Sequence, residues 1–167
     1  MAGHAELSTP SAWVERWAPL MPRGRALDLA CGGGRHARLL ASFGYEVLAV
    51  DREPQSIPGA RILRADLEDG SPWPLAGERF QGIVVTNYLY RPLFPLIEAA
   101  LAPGGVLIYE TFMQGNERYG KPSNPAFLLQ PGELWRAFAG LHVIAFEQGR
   151  VIEPKTAMIQ RLCAVQA

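Results

Sequence analysis

One stretch of twelve residues, Ala26–Ala37, constrains the fold of this chain more than any other. Its sequence is A-L-D-L-A-C-G-G-G-R-H-A: an apolar run typical of a buried strand passes directly into three glycines and then into the start of an amphipathic helix. Because glycine has no Cβ, such a turn lets a ligand approach the backbone at the beginning of the helix. The stretch therefore predicts a strand–turn–helix unit that binds a ligand at the turn.

Short apolar runs alternate with helical segments along the chain, as in an α/β protein with a buried parallel sheet. The last two runs have no long crossover between them, so we expect them to pair antiparallel. The seven predicted strands are Arg25–Leu29, Glu46–Val50, Arg61–Ala65, Phe80–Thr86, Val106–Glu110, Leu141–Gln148 and Ala157–Val165.

Four segments predict helices from their apolar spacing and their end signals. The first has Thr9 as N-cap and Pro10 at its first position. The others are Arg35–Phe43, which stops at Gly44, Leu93–Leu101, which stops at the turn 102–105, and about Pro131–Phe138. The prolines of 54–58 leave room for only about one helical turn between the second and third strands, and residues 113–125 predict a long loop.

Charge and cysteine content exclude several classes of protein. Lys plus Arg and Asp plus Glu both total 16, so bulk charge does not support DNA binding, which needs a basic surface. Cys31 and Cys163 have no C-x-x-C spacing, which predicts buried thiols and no metal site. No run of about 18 apolar residues and no signal-peptide pattern occurs, so we expect a cytoplasmic protein without a membrane partner.

The glycine turn alone allows two interpretations, because Gly32, Gly34 and Ala37 also fit the G-x-G-x-x-G/A fingerprint of dinucleotide-binding proteins. Asp28 distinguishes them: it lies four residues before the first glycine, where a carboxylate would repel a pyrophosphate but attract an ammonium group. The pattern D-x-A-x-G-x-G resembles the first motif of class I methyltransferases. That resemblance implies S-adenosylmethionine as cofactor, with Asp28 facing its methionine end.

Two further acids fit binding of an adenosine group, which methyltransferases share with nicotinamide enzymes. Asp51 ends the second strand about 20 residues after the first glycine, at the separation of a ribose-binding acid, and Asp66 follows the third strand, where the family binds adenine. Asn87, after the fourth strand, is expected beside the cofactor. The complete set of cofactor-binding residues that the resemblance implies is Asp28, Ala30, Cys31, Gly32, Gly34, Asp51, Arg52, Asp66, Leu67 and Asn87.

The resemblance covers roughly residues 25–165, and the segment 110–124 resembles small bacterial methyltransferases near the tellurite-resistance group. It implies one domain, 1–167, with a Rossmann-like seven-stranded, mostly parallel sheet, an antiparallel last strand and helices on both faces. Within it, residues 1–22 would form an N-terminal helix or cover, 25–111 the cofactor-binding half, and 112–167 the substrate-side loop and final strand pair. The segment 87–91 lacks the N-P-P-Y box of amino-methylating nucleic-acid enzymes, which argues against methylation of DNA adenine.

The methyl acceptor is not specified by any motif. Tyr88 and Glu110 are candidate catalytic residues, and Tyr90, Arg91, Tyr119 and Lys121 are candidate substrate contacts, although each is equally compatible with a solvated loop position. His36 could act as a base, but a histidine in the first turn of a helix more often contacts the cofactor or is structural. Trp13 and Trp17 could line a cover over the site, which a second subunit of a homodimer could also provide.

Four functions remain open. The leading one is an S-adenosylmethionine-dependent methyltransferase that acts on a small molecule, because the chain has little material for binding a macromolecule. Methylation of RNA or protein is the second, and a protein that binds the cofactor without transferring methyl is the third. A nicotinamide oxidoreductase is the least favoured, because of Asp28.

Overall fold

A computed structural model of the protein describes residues 9–167. Residues 1–8 of the expected cover 1–22 lie outside the described residues. No helix within the described part is long and apolar enough to cross a membrane.

The described chain forms a single seven-stranded sheet with the order β3-β2-β1-β4-β5-β7-β6. Neighbouring strands from β3 to β5 are parallel, whereas β7 is antiparallel to both β5 and β6. This confirms the predicted mostly parallel sheet with an antiparallel last strand. The strands are β1 (Arg25–Leu29), β2 (Glu46–Asp51), β3 (Ala60–Arg64), β4 (Phe80–Thr86), β5 (Leu101–Phe112), β6 (His142–Val151) and β7 (Ala157–Val165).

Within residues 9–167, four short α-helices accompany the sheet: α1 (Ala12–Trp17), α2 (Arg35–Ser42), α3 (Phe94–Ala99) and α4 (Glu133–Ala137). The prediction that Thr9 caps the first helix is wrong. Ser11 is its N-cap, with a hydroxyl that accepts a hydrogen bond from the Trp13 backbone N–H, so Pro10 lies before the helix and not at its first position.

Two other local predictions are corrected by the structure. The expected helical turn at 54–58 does not form, and β2 connects to β3 through irregular chain and a turn at 58–59. The expected turn at 102–105 belongs to β5, which bulges there between its pairings with Phe80 and Gly82. A Cβ on Gly105 would lie only 2.8 Å from the Ala102 carbonyl oxygen. The missing side chain therefore lets the bulged strand stay in the sheet rather than marking its end.

Each face of the sheet has its own hydrophobic core. On one face Leu27 and Leu29 of β1 pack with residues of α3 and α4, and on the other Ala26 packs with residues of α1 and α2. Side chains alternate along a strand, so Asp28 shares the face of Ala26. This alternation directs the carboxyl group of Asp28 toward the start of α2 and the glycine turn.

Candidate functional site

The glycine turn lies at the carboxyl end of β1, beside β4. The chain order reverses at this point of the sheet, because β2 and β3 lie on one side of β1 and β4 and β5 lie on the other. A crevice at such a position is where open α/β sheets bind ligands.

Left-handed backbone shapes the turn. Gly32 has φ 53° and Gly34 has φ 85°, a region that favours glycine. A Cβ on Gly34 would lie 2.5 Å from the Cδ1 atom of buried Ile57, whereas one on Gly33 would meet no atom within 4 Å. The turn therefore packs against the protein on one side and leaves its backbone open on the other.

Asp51 connects the end of β2 to the turn. Its Oδ2 atom accepts a hydrogen bond of 2.9 Å from the Gly32 N–H, and its Oδ1 atom accepts one of 3.0 Å from the Glu53 N–H. The neighbouring Arg52 is exposed. The half-buried Asp51 carboxylate thus lies beside the open backbone of the turn.

Asp66 follows β3, and its Oδ1 atom accepts a hydrogen bond of 2.9 Å from the Glu68 N–H. Leu67, which is half-buried, packs against the core on the α3 face. Because β3, β2 and β1 are adjacent and parallel, Asp66, Asp51 and Asp28 belong to three neighbouring strand ends.

Asp28 is a buried carboxyl group that lacks a complete set of partners. It is 1% exposed, and its Oδ2 atom has no hydrogen-bond partner among the described residues. Burial raises its pKa to about 7, against the opposing effects of the Ala37 backbone N–H and the Arg35 guanidinium. A buried carboxyl with a free oxygen suits a cationic donor that reaches it from the ligand side.

Asn87 follows β4 in the left-handed region, with φ 52°. Such a φ is uncommon outside glycine, although asparagine tolerates it better than most residues. The backbone N–H of Asn87 donates a hydrogen bond of 2.9 Å to the Glu110 carbonyl. This bond keeps Asn87, whose side chain is exposed, at the edge of the sheet, where it lines the two cavities described next.

The larger cavity, which we call the β5–β7 cavity, has a volume of about 520 Å³. Its walls come from the segment before α1, the start of α2, the ends of β4 and β5, and the β6–β7 hairpin. They comprise Thr9, Pro10, Ser11, Ala12, Arg35, Asn87, Glu110, Phe112, Val151, Glu153, Pro154, Lys155, Ala157, Ile159 and Arg161.

Glu110, 9% exposed, lies in the wall of this cavity with both carboxylate oxygens engaged. Its Oε1 atom accepts a hydrogen bond of 2.8 Å from the Ser11 hydroxyl, and its Oε2 atom pairs with the Arg161 guanidinium at 2.5 Å. Arg161 also pairs with Glu147 at 3.3 Å. Glu110 of β5 therefore connects β7, through Arg161, with the segment before α1, through Ser11.

Arg35 provides a half-buried cation at the inner end of the β5–β7 cavity. Its Nη1 atom donates a hydrogen bond of 2.8 Å to the Thr9 carbonyl, and none of the ion pairs among the described residues includes it. Burial lowers its pKa, while Glu110 and Asp28 act in the opposite direction. Such a cation favours an anionic group of a ligand.

A second cavity of about 320 Å³ lies on the other side of Asn87 and includes Tyr88. The Tyr88 hydroxyl donates a hydrogen bond of 3.0 Å to the Oε2 atom of Glu68. Burial and then that hydrogen bond raise its pKa. Tyr88 thus faces away from the β5–β7 cavity, unlike Glu110, the other candidate catalytic residue.

The structure does not bring the four candidate substrate contacts together. Arg91 pairs with Glu133 at 2.6 and 3.0 Å and donates to the carbonyls of Ala126 and Leu128. Its guanidinium is therefore used to attach the loop before α4, and its contact with an acceptor stays a prediction. The other three, Tyr90, Tyr119 and Lys121, line neither cavity, and Tyr119 and Lys121 are exposed.

His36 is 2% exposed and is enclosed by polar partners. Its Nε2 atom accepts a hydrogen bond of 3.0 Å from the Ser11 N–H, and its Nδ1 atom lies 3.3 Å from the Thr86 hydroxyl. Burial, followed by the charge of Arg35, lowers its pKa to about 3. This arrangement agrees with the structural role that the sequence favoured.

Three residues of the site were not predicted from the sequence: Ser11, Arg35 and Arg161. Arg35 carried a usable signal, because it follows the glycines directly at the start of α2. Ser11 and Arg161 carried none, since they reach Glu110 from 99 and 51 residues away along the chain.

Comparisons with known proteins agree with this geometry. A family model described as tellurite resistance protein TehB matches residues 6–67. Trans-aconitate 2-methyltransferase of Methylobacterium radiotolerans is 28% identical over 162 residues, which cover 89% of this chain and 60% of that protein. Ubiquinone biosynthesis O-methyltransferase of Cereibacter sphaeroides is 35% identical over 108 residues, 56% of this chain and 44% of that protein.

Among solved structures, TehB from Haemophilus influenzae superposes with a TM-score of 0.76 at 15% identity, over 99% of this chain and 65% of that chain. The chain therefore has the fold of TehB and is similar to the TehB family model over residues 6–67. The resemblance seen in the sequence is thereby confirmed. The chain spans between two fifths and two thirds of the length of the two curated relatives.

Proposed function

We propose that the protein transfers the methyl group of S-adenosylmethionine to a small-molecule acceptor. The observation that carries the proposal is the group formed by Asp28, the open glycine turn and Asp51 at the ends of β1 and β2. The names of the relatives, a trans-aconitate methyltransferase and a ubiquinone biosynthesis methyltransferase, support methyl transfer and the size of the acceptor.

The residues present fit the methionine part of this cofactor. The unpartnered oxygen of buried Asp28 would accept from the ammonium group, and that contact would offset the cost of burying an ionised carboxyl. Arg35, a half-buried cation on the adjacent turn of α2, would bind the cofactor carboxylate by a charge-assisted hydrogen bond.

The adenosine part fits the neighbouring strand ends. The Asp51 carboxylate would accept from the ribose hydroxyls while its bond to Gly32 keeps the turn in place. Asp66 and Leu67 would border the adenine. Backbone groups of 30–34, which include Ala30 and Cys31, would border the remainder of the ligand, as would Asn87.

The β5–β7 cavity is the proposed acceptor site. Its volume of about 520 Å³ is in the range of small-molecule pockets, roughly 300–1,000 Å³. The bound cofactor supplies a methyl group on a positively charged sulfur that is already a good leaving group. The chain's own task is then to hold the acceptor in line with that methyl group and to exclude water.

Within the described residues, the inner wall of this cavity holds no free general base, and Glu153, which also lines the cavity, is exposed in the β6–β7 turn. Both oxygens of Glu110 are engaged, and the Nε2 atom of His36 is occupied by Ser11. An acceptor that already carries an ionised nucleophilic atom suits such a site, because it needs no proton removal.

Calorimetric titration of the full chain with S-adenosylmethionine, S-adenosylhomocysteine and NAD tests the proposal. We expect binding of the first two and none of NAD. Formation of S-adenosylhomocysteine is then measured with separate panels of carboxylic acids, thiols and amines. Binding of NAD alone would refute the cofactor assignment, and cofactor binding without turnover on any acceptor panel would favour a binding protein.

A further inference from the structure

The segment 9–12, which leads into α1 and includes its first residue, forms one wall of the β5–β7 cavity. We call it the roof segment. Three hydrogen bonds attach it to the rest of the molecule: Arg35 Nη1 to the Thr9 carbonyl at 2.8 Å, Ser11 N–H to His36 Nε2 at 3.0 Å, and Ser11 Oγ to Glu110 Oε1 at 2.8 Å. Two of the three are made by Ser11.

The Ser11 hydroxyl has two roles that depend on one orientation. It accepts a hydrogen bond of 3.2 Å from the Trp13 N–H, which caps α1, and its single proton is donated to Glu110. Glu110 is held in turn by Arg161 of β7. One hydroxyl therefore fixes the start of α1, the roof segment and the cavity wall relative to each other.

The bond between Ser11 and His36 fixes the tautomer of the imidazole. Because Nε2 accepts from the Ser11 N–H, the proton of neutral His36 is on Nδ1, which faces the Thr86 hydroxyl. The low pKa of His36, about 3, keeps Nε2 available as an acceptor at neutral pH. The contact therefore does not open as the pH changes around neutrality.

Both partners of the roof segment on α2, Arg35 and His36, directly follow the glycine turn. A ligand bound at the turn would therefore lie beside the residues that make two of the three attachments of the roof. The acceptor cavity and the turn are therefore connected through Ser11 and its neighbours.

We infer that Ser11 is a positioning residue: it holds the roof segment closed over the acceptor cavity and couples this closure to occupancy of the glycine turn. The inference rests on the proposed function for the identity of the two ligands. Substitution of Ser11 should raise the KM for the acceptor and change the affinity for S-adenosylhomocysteine by less than about twofold, because the closed roof remains the more populated state in the variant.

Hydrogen–deuterium exchange of the full chain, with and without S-adenosylhomocysteine, tests the inference without knowledge of the acceptor. We expect Ser11→Ala to speed exchange in the peptide that covers 9–13 by at least about tenfold, since the cap and the bond to Glu110 are both lost. Ser11→Thr retains a hydroxyl and should restore protection. Ser42→Ala is the matched control, because the Ser42 hydroxyl bonds only to the Leu39 carbonyl on the surface.

In the unsubstituted protein, S-adenosylhomocysteine should slow exchange in the same peptide. Once an acceptor is known, Ser11→Ala should raise its KM about tenfold with the Kd for S-adenosylhomocysteine within about twofold. The inference would be overturned if the peptide that covers 9–13 exchanged at the same rate in Ser11→Ala as in the unsubstituted protein. It would also be overturned if bound S-adenosylhomocysteine did not slow exchange in that peptide. If S-adenosylhomocysteine does not bind at all, the proposed function fails, while the comparison of Ser11→Ala with Ser42→Ala still tests the attachment of the roof.

Discussion

The carboxylate of Asp51 and the backbone N–H of Gly32 form a hydrogen bond of 2.9 Å that joins the end of β2 to the glycine turn of β1. The two residues lie on adjacent parallel strands, so the bond fixes the turn relative to the sheet. It also directs the carboxylate toward the open side of the turn. This bond connects the fold to the proposed cofactor site.

Asp51→Ala should therefore weaken binding of S-adenosylhomocysteine by on the order of 1.5–3 kcal/mol, the value of hydrogen bonds to a charged group. Asp51→Asn is the matched variant, because its amide oxygen can still accept from Gly32 while the charge is lost. We expect an intermediate affinity for it by calorimetry. A folded Asp51→Ala protein with unchanged affinity would remove Asp51 from the site.

The raised pKa of Asp28 predicts how stability depends on pH. In the unfolded chain the group titrates near 3.8, and in the folded protein near 7. The folded state therefore binds the proton more tightly, and the contribution of Asp28 to stability falls as the pH rises from about 4 to about 7 and is level above that.

Asp28→Asn removes this dependence. Its free energy of unfolding, relative to that of the unsubstituted protein, should rise by about 3 kcal/mol between pH 4.5 and pH 8, measured by urea denaturation. A constant difference across this range would show that Asp28 does not titrate as described. Calorimetry of ligand binding near pH 6.5 in buffers of different ionisation enthalpy should also show proton release, because an ammonium group favours ionised Asp28.

Arg91 is expected to affect stability and not ligand binding. Burial alone would raise the pKa of Glu133, but its hydrogen bond with Arg91 lowers the pKa below the ordinary value, so the pair is ionised and stabilising at neutral pH. Arg91→Ala should cost on the order of 1–3 kcal/mol, because it leaves Glu133 and the two loop carbonyls without a donor. Urea denaturation measures this loss, and a calorimetric affinity for S-adenosylhomocysteine that dropped in the folded variant would contradict the structural role.

Gly34 and Gly33 form a matched pair for the shape of the turn. Gly34→Ala must place a side chain in left-handed backbone and against Ile57, whereas Gly33→Ala extends into open space. We expect Gly34→Ala to be less stable than Gly33→Ala by about 2–3 kcal/mol, from backbone strain together with overpacking. Thermal unfolding of the two proteins compares them directly, and equal midpoints would mean that the turn tolerates a Cβ at both positions.

Local sequence determined the strands and the core of the binding unit. The bounds of β1, β4 and β7 were predicted correctly, because buried strands with uninterrupted apolar runs carry their signal within themselves. The close relation of Asp28, Asp51 and Asp66 also followed, since parallel strands end at a common edge. Signals based on single residues were less reliable. Gly105 was interpreted as part of a turn between a helix and the fifth strand, but it lies inside β5, where it allows a bulge.

The sequence by itself therefore determined the α/β class, the order of the elements and the positions of the acids at the strand ends, all of which depend on neighbours along the chain. The tertiary structure alone decided which polar residues meet in the β5–β7 cavity. Ser11, Glu110 and Arg161 come together from three distant elements, and Arg91 is drawn away to Glu133. The physical reason is that a hydrogen bond or ion pair depends on distance and direction in space, and separation along the chain does not encode either for residues on different elements.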